Sequence, residues 1–130
     1  MASELRVNTL KDAAGNNSIA TSFVAGGSAK CWVNFNGTST VAIRGSLNTS
    51  SITDRGTGQY TVNKSTSFAN TNFAFMAGAG EDNASGTVSA LNAWEFTTST
   101  TKINSFEEYG GTTARNDRTF LFAGFNGDLA

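Results

Sequence analysis

Ten carboxylates and one thiol are the side chains of this 130-residue chain that could do acid–base or nucleophilic work. The acids are Glu4, Asp12, Asp54, Glu81, Asp82, Glu95, Glu107, Glu108, Asp117 and Asp128. Two of them at a suitable separation could hydrolyse a glycosidic bond, one as acid and one as base or nucleophile. Nearly all, however, stand beside Gly, Asn or Ser, where an acid is solvated or caps a turn. Glu81-Asp82-Asn83 and Asp54 offer oxygens to a hard cation but lack the spacing of a calcium loop.

The chain has no His, so Ser-His-Asp triads, Cys-His pairs and His-ligated metal centres are excluded. Cys31 has no second Cys to bridge to and no imidazole to activate it, so it reads as a small buried hydrophobe. Gly78-Ala79-Gly80 lacks the Lys-Ser/Thr ending and the helix that a phosphate cradle needs. The expectation is a protein with no catalytic residue, no metal and no cofactor. Nine basic residues, net charge −1 and a pI near 5.2 leave no basic face for nucleic acid. Asn-x-Ser/Thr triplets such as Asn36-Gly37-Thr38 follow from the composition and carry no glycosylation argument.

Aromatic side chains are the remaining chemistry. Trp32, Tyr60, Trp94, Tyr109 and ten Phe could stack on sugar rings, with Asn, Asp and Arg supplying hydrogen bonds. The strand Phe residues read as core. Tyr109 differs, because it sits in Glu107-Glu108-Tyr109-Gly110-Gly111, where a loop would expose it. Asp82, Asn83, Glu108 and Tyr109 are therefore the candidate receptor-side residues.

The elements that must position these groups are strands. Thr, Ser, Asn and Gly make up 60 of the 130 residues, and Thr, Asn and Gly are poor helix formers. Aromatics at 11% separate the chain from a disordered one. Apolar residues recur at period 2: Cys31, Val33, Phe35; Val41, Ile43; Tyr60, Val62; Phe73, Phe75; then Val88, Ala90, Trp94, Phe96. Ile103 and the apolar stretch Arg118 to Phe125 complete the set. Turn clusters separate them at Asn36–Thr38, Asp54–Gly58, Gly78–Gly86 and Tyr109–Asp117. This spacing predicts an all-β sandwich or jelly-roll-like domain over 29–130. Its core is expected at Val33, Phe35, Val41, Ile43, Tyr60, Val62, Phe73, Phe75, Trp94, Phe96, Ile103, Phe120 and Phe122.

Residues 1–28 read as a hairpin or extended arm ended by Gly26-Gly27-Ser28. Its apolar residues, Leu5, Val7, Leu10, Ile19, Phe23 and Val24, are too few for a core, and a lone hairpin is marginal in water. They are expected to anchor the chain or to join copies of it, with three-fold closure leaving no open edge. No apolar run is long enough for a membrane helix, and Met1 to Leu10 lacks the apolar stretch of a secretory signal, so the expectation is synthesis in a cytoplasm.

Ser3-Glu4-Leu5-Arg6-Val7-Asn8-Thr9-Leu10-Lys11-Asp12, followed by Gly15-Asn16-Asn17-Ser18, resembles the start of small virion proteins of tailed phages, closest to those of marine cyanobacterial phages. Ala29-Lys30-Cys31-Trp32-Val33-Asn34-Phe35-Asn36-Gly37-Thr38 with Val41-Ala42-Ile43-Arg44 resembles a block of phage tail-fibre proteins. So does Ser51-Ile52-Thr53-Asp54-Arg55-Gly56-Thr57-Gly58-Gln59-Tyr60-Thr61-Val62-Asn63. The closing Gly127-Asp128-Leu129-Ala130 is similar as well, while residues 64–126 share only the strand rhythm. This chain departs from the pattern at Cys31, where a small residue is usual, and at Lys64, where an apolar residue commonly ends the strand. It also lacks a Pro near Asn70. The resemblance implies a non-enzymatic virion component, usually a trimer, made in the host cytoplasm. The implied function is that of a tail-fibre or tail-tip subunit in host attachment. Capsid decoration or a head fibre of the same virion is an alternative, and a polysaccharide-degrading enzyme a further one. The implied partners are the chain itself as a homotrimer, other virion proteins, and a host surface glycan or protein, with no nucleic acid and no membrane insertion.

Overall fold

The computed structural model describes residues 3–80 and 88–130. Eleven strands and one short helix are present among them. The arm contributes β1 (Thr9–Lys11), β2 (Ser18–Ala20) and α1 (Thr21–Gly27). Asp12 organises the hairpin turn: its carboxylate accepts from Asn16 N (2.9 Å) and Asn17 Nδ2 (2.7 Å), and its carbonyl from Gly15 N. The Asn17 side-chain bond is the main influence holding the Asp12 carboxyl below its ordinary range. Residues 21–27, expected to be extended, form about two turns of helix. This helix buries none of its side chains, and the Ser28 N–H closes it on the Val24 carbonyl.

The first sheet has the order β4 (Ala42–Leu47), β3 (Cys31–Asn36), β11 (Phe120–Asn126), β7 (Ala74–Gly80), all antiparallel. The second is built on the long strand β9 (Thr100–Tyr109). β8 (Val88–Phe96) lies along one side of β9. β6 (Gln59–Lys64) and then β10 (Thr112–Arg115) share the other side, and β5 (Thr49–Gly56) pairs beyond β6. The chain is all-β, as the period-2 segments predict, with the two sheets facing each other as a sandwich.

Alternation decides the core. Cys31, Val33 and Phe35 of β3 sit beside Phe125, Ala123 and Leu121 of β11, and all six are buried. Tyr60, Val62 and Ile103 face them from the second sheet, and Phe68 closes one end. The Phe35 and Tyr60 rings meet edge to face at 5.2 Å.

Five expected core positions are instead exposed: Ile43, Trp94, Phe96, Phe120 and Phe122. β11 is apolar on both faces, and its register with β3 turns Leu121, Ala123 and Phe125 inward. Phe120 and Phe122 must then face out. In β8 it is Leu91 and Ala93 that pack on the core. A bulge between Ala93 and Glu95 interrupts the alternation, and Trp94 lies outside under the Lys102 ammonium, 5.0 Å from its ring. Ile43 sits on β4, an edge strand, next to a bulge.

Candidate functional site

The outer faces of the two sheets differ in kind. On the second sheet Ser51, Thr53, Asn63 and Lys102 point outward around Thr61, which is itself buried, and the Asn63 amide donates to Ser51 Oγ (3.1 Å) and Thr53 Oγ1 (3.0 Å). Lys102 pairs with Glu95 at 2.7 Å. This surface is mostly polar, with Trp94, half exposed beneath the Lys102 ammonium, as its large apolar exception.

On the first sheet the outward residues are Leu47, Trp32, Gly124 and Met76 in one row across the strands. Gly45, Asn34, Phe122 and Gly78 form the next row. Trp32, Leu47, Met76 and Phe122 are each between 40% and 54% exposed. The glycines let the large side chains lie flat. A Cβ on Gly78 would stand 2.2 Å from Phe122 Cζ, and one on Gly45 would touch the Trp32 ring at 3.5 Å. The result is a level apolar surface with a shallow cleft of about 390 Å³ between Trp32, Met76 and Phe122. Ala29, the residue just after the arm, lines the same cleft. Arg44 crosses the neighbouring ring of Phe120 at 4.4 Å. Soluble monomers seldom leave such a contiguous patch uncovered.

Leu5, Val7, Leu10, Ile19, Phe23 and Val24 are all exposed on the arm, Leu5 and Phe23 most of all at 80% and 72%. Leu10 and Ile19 oppose each other in the hairpin. The Asn126 amide donates to the Gly27 carbonyl (2.8 Å) and Lys30 Nζ reaches Ala25 O, so the arm leaves the sandwich at the border of the apolar sheet face.

The β9–β10 hairpin carries the other candidate residues. Gly110 and Gly111 turn it, with φ of +60° and +81° that an L side chain resists. Tyr109 is 68% exposed, as the loop composition predicts. Glu108 is exposed too, but successive strand residues point to opposite faces, so it does not share a face with Tyr109. Glu107 does, a residue the sequence reading did not select for this role. Its Oε2 lies 3.2 Å from the fully buried Arg118 guanidinium and accepts from the Asn116 amide. Asp82 and Asn83 lie outside the described residues.

Two further polar groups are locked into the fold. Asp117 Oδ1 accepts from the Tyr60 hydroxyl (2.6 Å) and from Gly58 N (2.7 Å). Burial, then Asp117 itself, pushes the Tyr60 phenol well above its ordinary range. Lys64 Nζ, on a residue only 7% exposed, donates to Thr97 O, Thr100 O and Thr101 Oγ1, all near 3 Å. It also faces the rings of Phe73, Phe125 and Phe68 at 4.7, 5.1 and 5.5 Å. Burial brings its pKa down to about 8. The Cys31 thiol is pushed up by burial.

No family model, curated protein or solved structure matches the chain. Among the described residues no group of three or more Cys, Asp or Glu could hold a metal ion, and no helix is long and apolar enough to cross a membrane. Two surfaces stand out among the described residues: the apolar sheet face with its adjoining arm, and the hairpin tip.

Proposed function

We propose that this protein is a structural subunit of a phage virion, a homotrimeric tail-fibre or tail-tip component that takes part in host attachment. The observation that carries the reading is the asymmetry between the two outer faces. One is mostly hydroxyl and amide with Trp94 as its single large exposed apolar group among the described residues, while the other exposes Trp32, Leu47, Met76 and Phe122 together around glycines. A sandwich that worked alone would have polar residues on both. Association of copies covers the apolar face, and the arm that leaves beside it supplies Phe23, Val24 and Leu5 to neighbouring subunits or to the particle. The resemblance of the opening residues to small virion proteins of tailed phages, and of blocks within residues 29–63 to tail-fibre proteins, supplies the biological setting.

An enzymatic role finds little support. Glu107 and Glu108 point to opposite faces of one strand and cannot flank one glycosidic bond. Glu107 is also tied to Arg118 and Asn116.

Immunogold labelling of purified virions with an antibody to this chain tests the placement. The expected result is label on the tail appendages, with purified protein leaving host polysaccharide intact. Label spread over the capsid would move the protein to the decorating role, and depolymerised polysaccharide would overturn the non-enzymatic reading.

A further inference from the structure

Resting on the attachment reading, we infer that one face of the β9–β10 hairpin is a saccharide-binding subsite, with Tyr109 as stacking platform and Glu107 as hydroxyl acceptor. Glu107, Tyr109, Thr112 and Ala114 line an open cleft of about 420 Å³ on that face. The register accounts for the set: Tyr109 opposes Thr112, and Glu107 opposes Ala114.

Each member has a property that a saccharide uses. The Tyr109 ring has no aromatic partner among the described residues. Beside it, a Cβ on Gly110 or Gly111 would meet nothing within 4 Å, so the tip is open to approach. A flat sugar face presents polarised C–H groups, which suit the negative face of an aromatic ring. Glu107 is fixed from beneath: Arg118 and Asn116 both engage Oε2, and among the described residues nothing engages Oε1. A carboxylate held in one orientation can accept from two vicinal hydroxyls at little entropic cost. Thr112 adds a hydroxyl that can donate or accept, and Ala114 leaves room.

The charge selects among sugars. Among the described residues Glu107 is the one charged residue that lines the cleft, with Arg118 fully buried behind it, so the carboxylate edge facing the cleft would repel an anionic sugar. The ligand class is the neutral hexopyranoside. One shallow site of this kind binds weakly, on the order of millimolar, and three sites in a trimer raise the effective strength by avidity.

The experiment is an NMR titration of the full chain with the methyl glycosides of glucose, galactose, mannose and N-acetylglucosamine, and with methyl glucuronide as the anionic probe. The expected result is a saturable shift of the Tyr109 ring and Gly110 and Gly111 amide signals with at least one neutral glycoside and none with the glucuronide. Tyr109→Ala should abolish the shift of the glycine amides and Tyr109→Phe should retain it. Because Tyr109 is exposed, both variants keep the fold. No saturable shift with any neutral glycoside, an equal shift in Tyr109→Ala, or a preference for the glucuronide would overturn the subsite. A chain that labels virion tails yet gives no shift refutes the subsite while leaving the structural role standing.

Discussion

Phe125→Ala should lose about 3–5 kcal/mol of folding stability, the range for truncating a buried aromatic. The Phe125 ring is fully buried and packs against Phe75 at 5.4 Å, Phe73 at 5.7 Å and Phe68 at 6.5 Å. Its removal opens a cavity that β3, held by five register pairs to β11, cannot collapse to fill. Phe122→Ala, three residues earlier on the same strand, removes a ring that lies on the outside over Gly78. At dilutions where the chain is monomeric it should cost no more than about 0.5 kcal/mol. Urea unfolding of both variants checks the contrast. Equal losses would mean that β11 does not present the faces described.

Lys64 should give the protein an alkaline stability gain. Its pKa falls from 10.5 in the unfolded chain to about 8 in the fold, because burial disfavours the ammonium. Below pH 8 both states are charged, and the fold bears the full penalty. Between about pH 8 and 10.5 the unfolded chain holds a proton that the folded one has released, so stability rises with pH; above 10.5 the gain is complete. The size is about 3 kcal/mol at 1.36 kcal/mol per unit. Cys31 acts in the opposite direction, since its raised pKa lets the unfolded chain lose the thiol proton first. The comparison therefore belongs in a Cys31→Ala background, with and without Lys64→Met. Unfolding free energies from pH 7 to 10.5 should rise more steeply with Lys64 present. Parallel pH profiles would contradict the account of the buried ammonium.

The strands were legible because alternation of apolar and small polar residues is a local property. β3 and β6 each carry one dominant apolar face, which turns inward at Val33, Phe35, Tyr60 and Val62 as expected, and Ile103 of β9 turns inward with them. β11 was not orientable from its own residues, since Phe120, Phe122 and Leu121, Phe125 satisfy period 2 on opposite faces. Only pairing with β3 decides between them, and that register is a long-range fact. The bulge after Ala93 defeated the reading of β8 in the same way. Of the candidate site residues, the arm set and Tyr109 were legible from sparse apolar positions and a Gly-rich tip. The apolar sheet face was only half visible, as a surplus of hydrophobic residues in β11. Its other half comes from Trp32, Leu47 and Met76 on three other strands, with Gly45 and Gly78 beneath the rings. Glu107 was missed as a site residue because its fixed orientation comes from Arg118, eleven positions away and buried against expectation for a charge.

Assembly through the apolar face is the centre of this account, and sedimentation equilibrium of the wild-type chain beside Phe122→Glu tests it most directly. The variant places a charge on an exposed outer position and leaves the core untouched. The account predicts a particle of three 13.6-kDa chains for the wild type and a folded monomer for Phe122→Glu. A wild-type chain that stays monomeric at every concentration, or a Phe122→Glu chain that still forms trimers, would contradict it.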